Sequence, residues 1–176
     1  MIDEKPRRIT MGGCTKNSEI LKLRNYDKVD YYYEKALDSY LFLYSKKETE
    51  LKDEDITMIQ QMAGNHIGFF LNWIILHHFE GNLLRQQEAA MKAVCNESMQ
   101  GVDVLLQYCD GKFNSDDVCE AIRGFVNVYY DAYMPEYSTW VVEDLCDLPM
   151  EFVGTWDDYH EFEHVIDEAY QNWLKR

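Results

Sequence analysis

The sequence predicts a single all-α domain of about six to eight helices packed around one central buried helix. Apolar residues recur at helical spacing through most of the chain, and only Pro6, Pro135 and Pro149 interrupt it. Strand-length runs bounded by turn residues are hard to find. With 176 residues, 47% hydrophobic and 14% aromatic, the chain can bury one substantial core but not two ordinary ones.

The first 25 residues carry Gly12-Gly13 and read as a basic, irregular arm; residues 26–176 read as the helical domain. Asp27 or Asp30 is placed to cap a helix running to about Tyr44, with Val29, Tyr33, Leu37, Tyr40 and Tyr44 on one face. The polar run Ser45 to Lys52 is a connection. Asp53-Glu54-Asp55 put negative charge at a helix start, where the dipole favours it. That helix continues through His66-Ile67-Gly68-Phe69-Phe70-Leu71-Asn72-Trp73 to Leu76. It is apolar nearly all round in its second half, so it is predicted to be the buried centre. Gly81-Asn82 closes this region.

Leu84 to Met99 is rich in good helix formers, and a short helix over Val102 to Tyr108 stops at Asp110-Gly111. Ser115 is a plausible N-cap for a helix from Asp116 to about Met134. Pro135 then suits the first position of a separate helix, Glu136 to Asp147. Pro149 and Gly154 mark a loop. Thr155 caps the last helix, Trp156 to Leu174, with Asp158 placed to answer back as a capping box. Trp73, Trp156 and Trp173 are assigned to the core.

Charge is unevenly distributed. Between Gly111 and Leu174 there are fifteen acidic residues and two basic ones, Lys112 and Arg123, which supplies most of the net −15. The first 28 residues hold seven basic residues against four acidic. An acidic half that also holds Trp140, Trp156 and Trp173 suits neither nucleic acid nor anionic lipid. It suits a basic protein, through long-range steering and aromatic contact area. The alternative is that acidity only keeps an aromatic-rich chain soluble.

Five cysteines, Cys14, Cys95, Cys109, Cys119 and Cys146, form no C-x-x-C pair and fit idle thiols in a reducing compartment. No secretory signal is visible behind Met1-Ile2-Asp3-Glu4-Lys5. The longest apolar stretch, Ile67 to Leu76, is interrupted by Asn72 and falls short of a membrane span. A cytoplasmic location is expected, with no membrane or nucleic-acid partner.

Several motifs weigh less than they promise. His160-Glu161-Phe162-Glu163-His164 matches the zinc-protease pattern H-E-x-x-H, in which two histidines one turn apart hold the metal and the glutamate activates water. Only twelve residues follow it, which leaves little room for a third ligand. Asp110-Gly111-Lys112-Phe113 resembles the centre of a calcium loop, but Leu106 and Tyr108 stand where carboxylates are needed, so a helix-ending turn is the better reading. His66 and His77 are about three turns apart, too far to share a metal, and read as core or boundary histidines. Tyr31-Tyr32-Tyr33 is flanked by Asp30 and Glu34 rather than by the basic residues a nucleic-acid platform requires. No metal or cofactor is expected, and no catalytic residue is assigned.

The strongest candidates for partner contact are therefore acidic and aromatic residues near helix ends. Tyr137, Trp140, Glu143, Asp144 and Asp147 lie in one short helical stretch. Asp157, Asp158 and Glu161 open the last helix, and Asp116, Asp117 and Glu120 open an earlier one.

Asn25-Tyr26-Asp27, Ala63-Gly64-Asn65-His66-Ile67-Gly68-Phe69-Phe70-Leu71-Asn72-Trp73, Asp110 to Phe113, Tyr129-Tyr130 and Trp156-Asp157-Asp158-Tyr159 together resemble a family of small bacterial proteins. Asp167, Tyr170 and Trp173 extend the likeness, which covers roughly Asn25 to Leu174. Members of that type are similar to the immunity proteins of polymorphic toxin and contact-dependent growth-inhibition systems. The resemblance implies a helical, non-catalytic, cytosolic protein that binds a toxin domain delivered by a neighbouring cell. It supplies no agreed functional residues, and the basic arm and Leu84 to Gln100 depart from the pattern. Since nuclease clefts are basic, the expected partner is a basic toxin domain, favoured as a ribonuclease. The competing expectations are a zinc-dependent hydrolase using His160, Glu161 and His164, and an acidic adaptor subunit.

Overall fold

A computed structural model describes residues 23–176, so all but the last three residues of the expected arm, and Cys14 with it, lie outside the described residues. Among the described residues are seven α-helices and one two-stranded sheet: β1 (Asn25–Lys28), α1 (Tyr33–Leu43), α2 (Asp53–Leu76), α3 (Asn82–Arg85), α4 (Glu88–Cys95), α5 (Gly101–Tyr108), β2 (Lys112–Asn114), α6 (Glu120–Glu143) and α7 (Trp156–Leu174). The all-α expectation holds; the sheet is small.

Helix α2 is the centre, buried almost without interruption from Ile59 to Ile75. Its apolar side chains meet every neighbouring element, while three fully buried polar residues fix where those elements sit. Asn65 donates to the Tyr137 hydroxyl on α6 (2.7 Å) and accepts from the Gly154 N–H before α7 (3.0 Å). His66 Nε2 donates to Asp27 on β1 (3.1 Å). Asn72 Oδ1 accepts from the Gly101 N–H that opens α5 (2.6 Å). Buried polar groups of this kind must be partnered to be tolerated, so each bond selects one register among many greasy alternatives. Near its end, Trp73 donates to Asp167 of α7 (2.8 Å), closing the last helix onto the core.

At the other end of α2, Asp55 accepts from Tyr40 and Lys46, at the end of α1, and from the Lys52 N–H. The Lys46 hydrogen bond, followed by those from Tyr40 and Lys52, holds the Asp55 carboxyl well below the usual carboxylate range. A depressed folded-state pKa contributes stability above the unfolded value, about 3.9, and that contribution fades as pH falls below it. The melting penalty of Asp55→Asn is therefore expected to be largest near neutral pH and to shrink on acidification; a penalty constant from pH 7 to pH 2 would refute the charged cluster.

Four local expectations are corrected. The first helix starts at Tyr33, because Asn25–Lys28 pairs antiparallel with Lys112–Asn114 and a 3-10 turn, Val29–Tyr31, follows. The stretch Leu84 to Met99 divides into α3 and α4 at Gln86-Gln87. Ser115 does not cap a helix. The Gly81 N–H bonds to the Asp117 carbonyl and the Cys119 N–H to the Phe79 carbonyl, which ties this segment to the end of α2, and α6 begins only at Glu120. Pro135 does not start a helix either but lies inside α6. It and Asp131, whose carbonyl loses its helical donor, are both exposed, so the helix runs through the proline on its solvent side. The Thr155–Asp158 capping box is present as read, with Thr155 N donating to Asp158 (2.6 Å) and Asp158 N to Thr155 Oγ1 (3.2 Å). Asp110 and Gly111 both have positive φ and form the turn that ends α5.

Candidate functional site

The end of α6 concentrates negative charge in three ways. Glu143 and Asp144 are exposed at its C-terminus, where the helix dipole is itself negative, and no basic residue occupies the last turn. No cation among the described residues lies within ion-pair distance of either carboxylate. Helix α7 adds a stripe beside them: Asp157, Glu161, His164 and Glu168, spaced by four, three and four residues, are all exposed on one face. Between the helices runs a groove of about 360 Å³ whose lining includes Pro135, Trp140, Asp144, His164 and Val165. A second groove of about 280 Å³, lined in part by Val128, Tyr129, Ala169 and Trp173, meets it at Glu136. The surface thus combines an apolar trough with carboxylate margins. It suits an apolar segment that carries positive charge on its flanks.

Not every residue read from the sequence belongs to it. Tyr137 is fully buried, its hydroxyl held by Asn65 and its ring packed edge-on against Phe69 and Phe162. It cannot touch a partner. Trp140 is 8% exposed, and its ring stacks at a tilt against Phe162, so only an edge reaches the groove. Asp117 is also buried: its carboxylate accepts from the Asn114 N–H (2.6 Å) and shapes the turn before α6, while burial pushes its pKa up. Asp158 serves the α7 cap, and Asp147 is half-buried with one oxygen accepting from the Leu148 N–H. Asp116 pairs with Arg123 (3.6 Å), and both it and Glu120 lie at the far end of α6. A helix of 24 residues separates that end from Glu143 by roughly 36 Å, so the acidic set is two patches rather than one. Of the acidic residues read from the sequence only Asp144 lines the groove; Glu143 adjoins it in the chain, and Asp157 and Glu161 share the exposed face of α7 with His164. Glu136 and His164 also line the groove; their place depends on how α6 and α7 lie side by side, which no local pattern reveals. Trp156 and Trp173 are half-buried, and Trp73 is fully buried.

The H-E-F-E-H segment does not gather a ligand set. Both His160 nitrogens face carboxylates, Glu163 and Glu97, each at 3.1 Å. Burial would lower its pKa, but these two hydrogen bonds prevail and raise it. His164 Nδ1 instead donates to the Glu161 carbonyl of its own helix (2.8 Å). Among the described residues no three His, Cys, Asp or Glu side chains are placed to share an ion. The four described cysteines are free.

A second feature escaped the sequence reading. Asp27, 4% exposed, gathers three donors on one oxygen: His66 Nε2 (3.1 Å), Tyr32 (3.2 Å) and Tyr130 (3.3 Å). Its other oxygen accepts from the Lys28 N–H (2.8 Å). These residues come from β1, the turn after it, α2 and α6, and sequence separations as large as 103 hid them from any local motif. The cluster underlies a cavity of about 280 Å³ walled by Tyr26, Tyr31, Tyr32 and Tyr130, with Asp131 at its edge. Burial first, and Asp27 next, push the Tyr32 and Tyr130 hydroxyls well above the usual phenol range, so both remain protonated donors.

Fold and surface together define a helical domain with a carboxylate-margined groove and a buried carboxylate–histidine–tyrosine cluster. The chain belongs to a domain family of unknown function, DUF7832, whose profile matches residues 25–151. The match opens at β1 and closes before α7, so one wall of the groove lies beyond it. No curated protein and no solved structure matches the chain. Among the described residues, no helix is long and apolar enough to cross a membrane.

Proposed function

We propose that this chain is a cytoplasmic immunity protein that binds and neutralises a basic toxin domain, favoured as a ribonuclease, without catalysis of its own. The reading rests on one observation above the others: Glu143 and Asp144 crowd the negative end of α6 beside an open apolar groove. Like charges there repel one another and the helix dipole, an arrangement that a cationic partner relieves. A nuclease cleft, built to hold phosphates, supplies such a surface. Steering by the carboxylates accelerates encounter, and seating in the trough beside Trp140 and Val165 slows release. The resemblance to immunity proteins noted in the sequence points the same way.

The test pairs the chain with the product of the gene immediately preceding its own. Wild type is expected to bind that product and abolish its nuclease activity. The triple variant Glu143→Lys, Asp144→Lys, Glu161→Lys is expected to slow association by about tenfold or more and to flatten its salt dependence. Unchanged association and an unchanged salt slope would remove the groove from the interface; absence of binding by the wild type would remove the immunity reading.

A further inference from the structure

The tyrosine-walled cavity above Asp27 carries an inference of its own. Its four rings, Tyr26, Tyr31, Tyr32 and Tyr130, present π faces and edges around a space of about 280 Å³. That is just below the roughly 300–1,000 Å³ typical of pockets for whole small-molecule ligands, and so suits a single side chain. Its polar groups are carboxylates and phenol oxygens. Asp27 lies beneath, and Asp131, whose side chain is 84% exposed, stands at the rim.

The chain's own cations already lie against these walls. The Arg24 guanidinium carbon is 5.3 Å from the Tyr26 ring centre and its Nη2 is 3.8 Å from Asp131. Lys28 Nζ is 4.5 Å from the Tyr31 ring centre. A ring face attracts a cation through its quadrupole, and a guanidinium also stacks on it as a plane. We propose that this cavity receives one guanidinium group, the side chain of an arginine presented by the partner protein. Arg24 shows the contact in place: its guanidinium lies over a tyrosine ring, donates to the Asn127 carbonyl and Oδ1, and has its charge answered by Asp131. Asp27, already accepting at both oxygens, holds Tyr32 and Tyr130 as the inner wall and supplies the underlying negative field. The identity of the donor as a partner arginine rests on the immunity reading; the affinity of the cavity for guanidinium does not.

The test uses N-methylguanidinium as probe and N-methylurea, of the same shape but neutral, as control, followed through the aromatic NMR resonances of the full chain. Methylguanidinium is expected to shift the Tyr26, Tyr31, Tyr32 and Tyr130 signals along one saturable curve, and methylurea to leave them in place. Tyr31→Ala is expected to weaken the probe by about threefold, as one partly exposed cation–π contact would. Asp131→Asn is expected to weaken it further. Arg24→Gln removes the internal competitor and is expected to tighten binding by about threefold through release of the Tyr26 face. Lys92→Gln, the same charge change elsewhere, should leave binding unchanged. Shifts that track charge alone, with Lys92→Gln equal to Arg24→Gln, or equal shifts from methylurea, would overturn the site. The groove variant Glu143→Lys, Asp144→Lys, Glu161→Lys must retain probe binding. Failure of the wild-type chain to bind the toxin, with probe binding intact, would refute the immunity reading and leave the cavity standing.

Discussion

Gly101→Ala is expected to lower stability by about 4 kcal/mol, a large share of the 5–15 kcal/mol by which a domain is ordinarily stable. A Cβ at Gly101 would lie 2.2 Å from the Gly68 carbonyl oxygen and 2.8 Å from the Asn72 N. Reciprocally, a Cβ at Gly68 would lie 2.6 Å from the backbone N of Val102. Helices α2 and α5 thus meet backbone to backbone, and the obstacle is not a side chain that can swing aside. Overpacking costs about 1–3 kcal/mol where side chains can adjust, and the upper end applies where they cannot. Separation of the helices would also stretch the Gly101–Asn72 hydrogen bond, worth about 1 kcal/mol and more once its buried partner is orphaned. The comparison is Gly124→Ala at an exposed position of α6, where the new methyl meets only the edge of the Trp173 ring at 3.1 Å. There the helix-propensity gain of roughly 0.5–1 kcal/mol offsets a small shift of the ring. Urea midpoints measure both. Equal midpoints for the two variants would mean that the close crossing does not exist.

Asp27→Ala is expected to cost about 3–5 kcal/mol, since each buried donor left without its acceptor costs about 1–3 kcal/mol. It strands three donors at once: the imidazole of His66, fully buried and with no partner at Nδ1, and the hydroxyls of Tyr32 and Tyr130. Neither His66 nor Tyr130 can turn toward water, because both are buried, at 0% and 4% exposed. The informative experiment is the double variant Asp27→Ala, His66→Phe. Once the imidazole is gone, part of the penalty disappears, so the two substitutions should be non-additive by at least about 1 kcal/mol. Strict additivity would show that the contact in the structure carries no coupling. Chemical denaturation with matched slopes is the measurement.

The same two sites show how far local reading reached. The sequence from His66 to Trp73 announces a buried helix because almost every position is apolar, and length and charge at Asp53 to Asp55 mark where it begins. The α7 cap was legible for the same reason: Thr155 and Asp158 act on each other within one turn. Local information sufficed wherever the interaction was local. It failed at Asn25–Lys28 and Lys112–Asn114, which are too short to declare themselves and pair across more than half of the domain's length in sequence. It failed at Pro135 because the exposure of Asp131 and Pro135, which lets the helix run through the proline, is set by packing rather than by the local sequence. Among the candidate residues, Tyr137 and Asp117 looked like surface groups since each carries a polar atom in an acidic stretch. Burial was decided by distant partners, Asn65 for Tyr137 and, for Asp117, the end of α2, whose following Gly81 N–H donates to the Asp117 carbonyl.

The amino-acid order alone therefore determined the helical class, the central helix, the last helix with its cap, and the excess of negative charge in the second half of the chain. Only the tertiary structure decided which carboxylates share a face, that a groove separates α6 from α7, and that Asp27 meets His66 under a ring of tyrosines. The physical reason is range. Helix periodicity, capping and net charge are summed over neighbours in the chain, whereas a groove or a buried cluster exists only once segments up to a hundred residues apart have packed against each other.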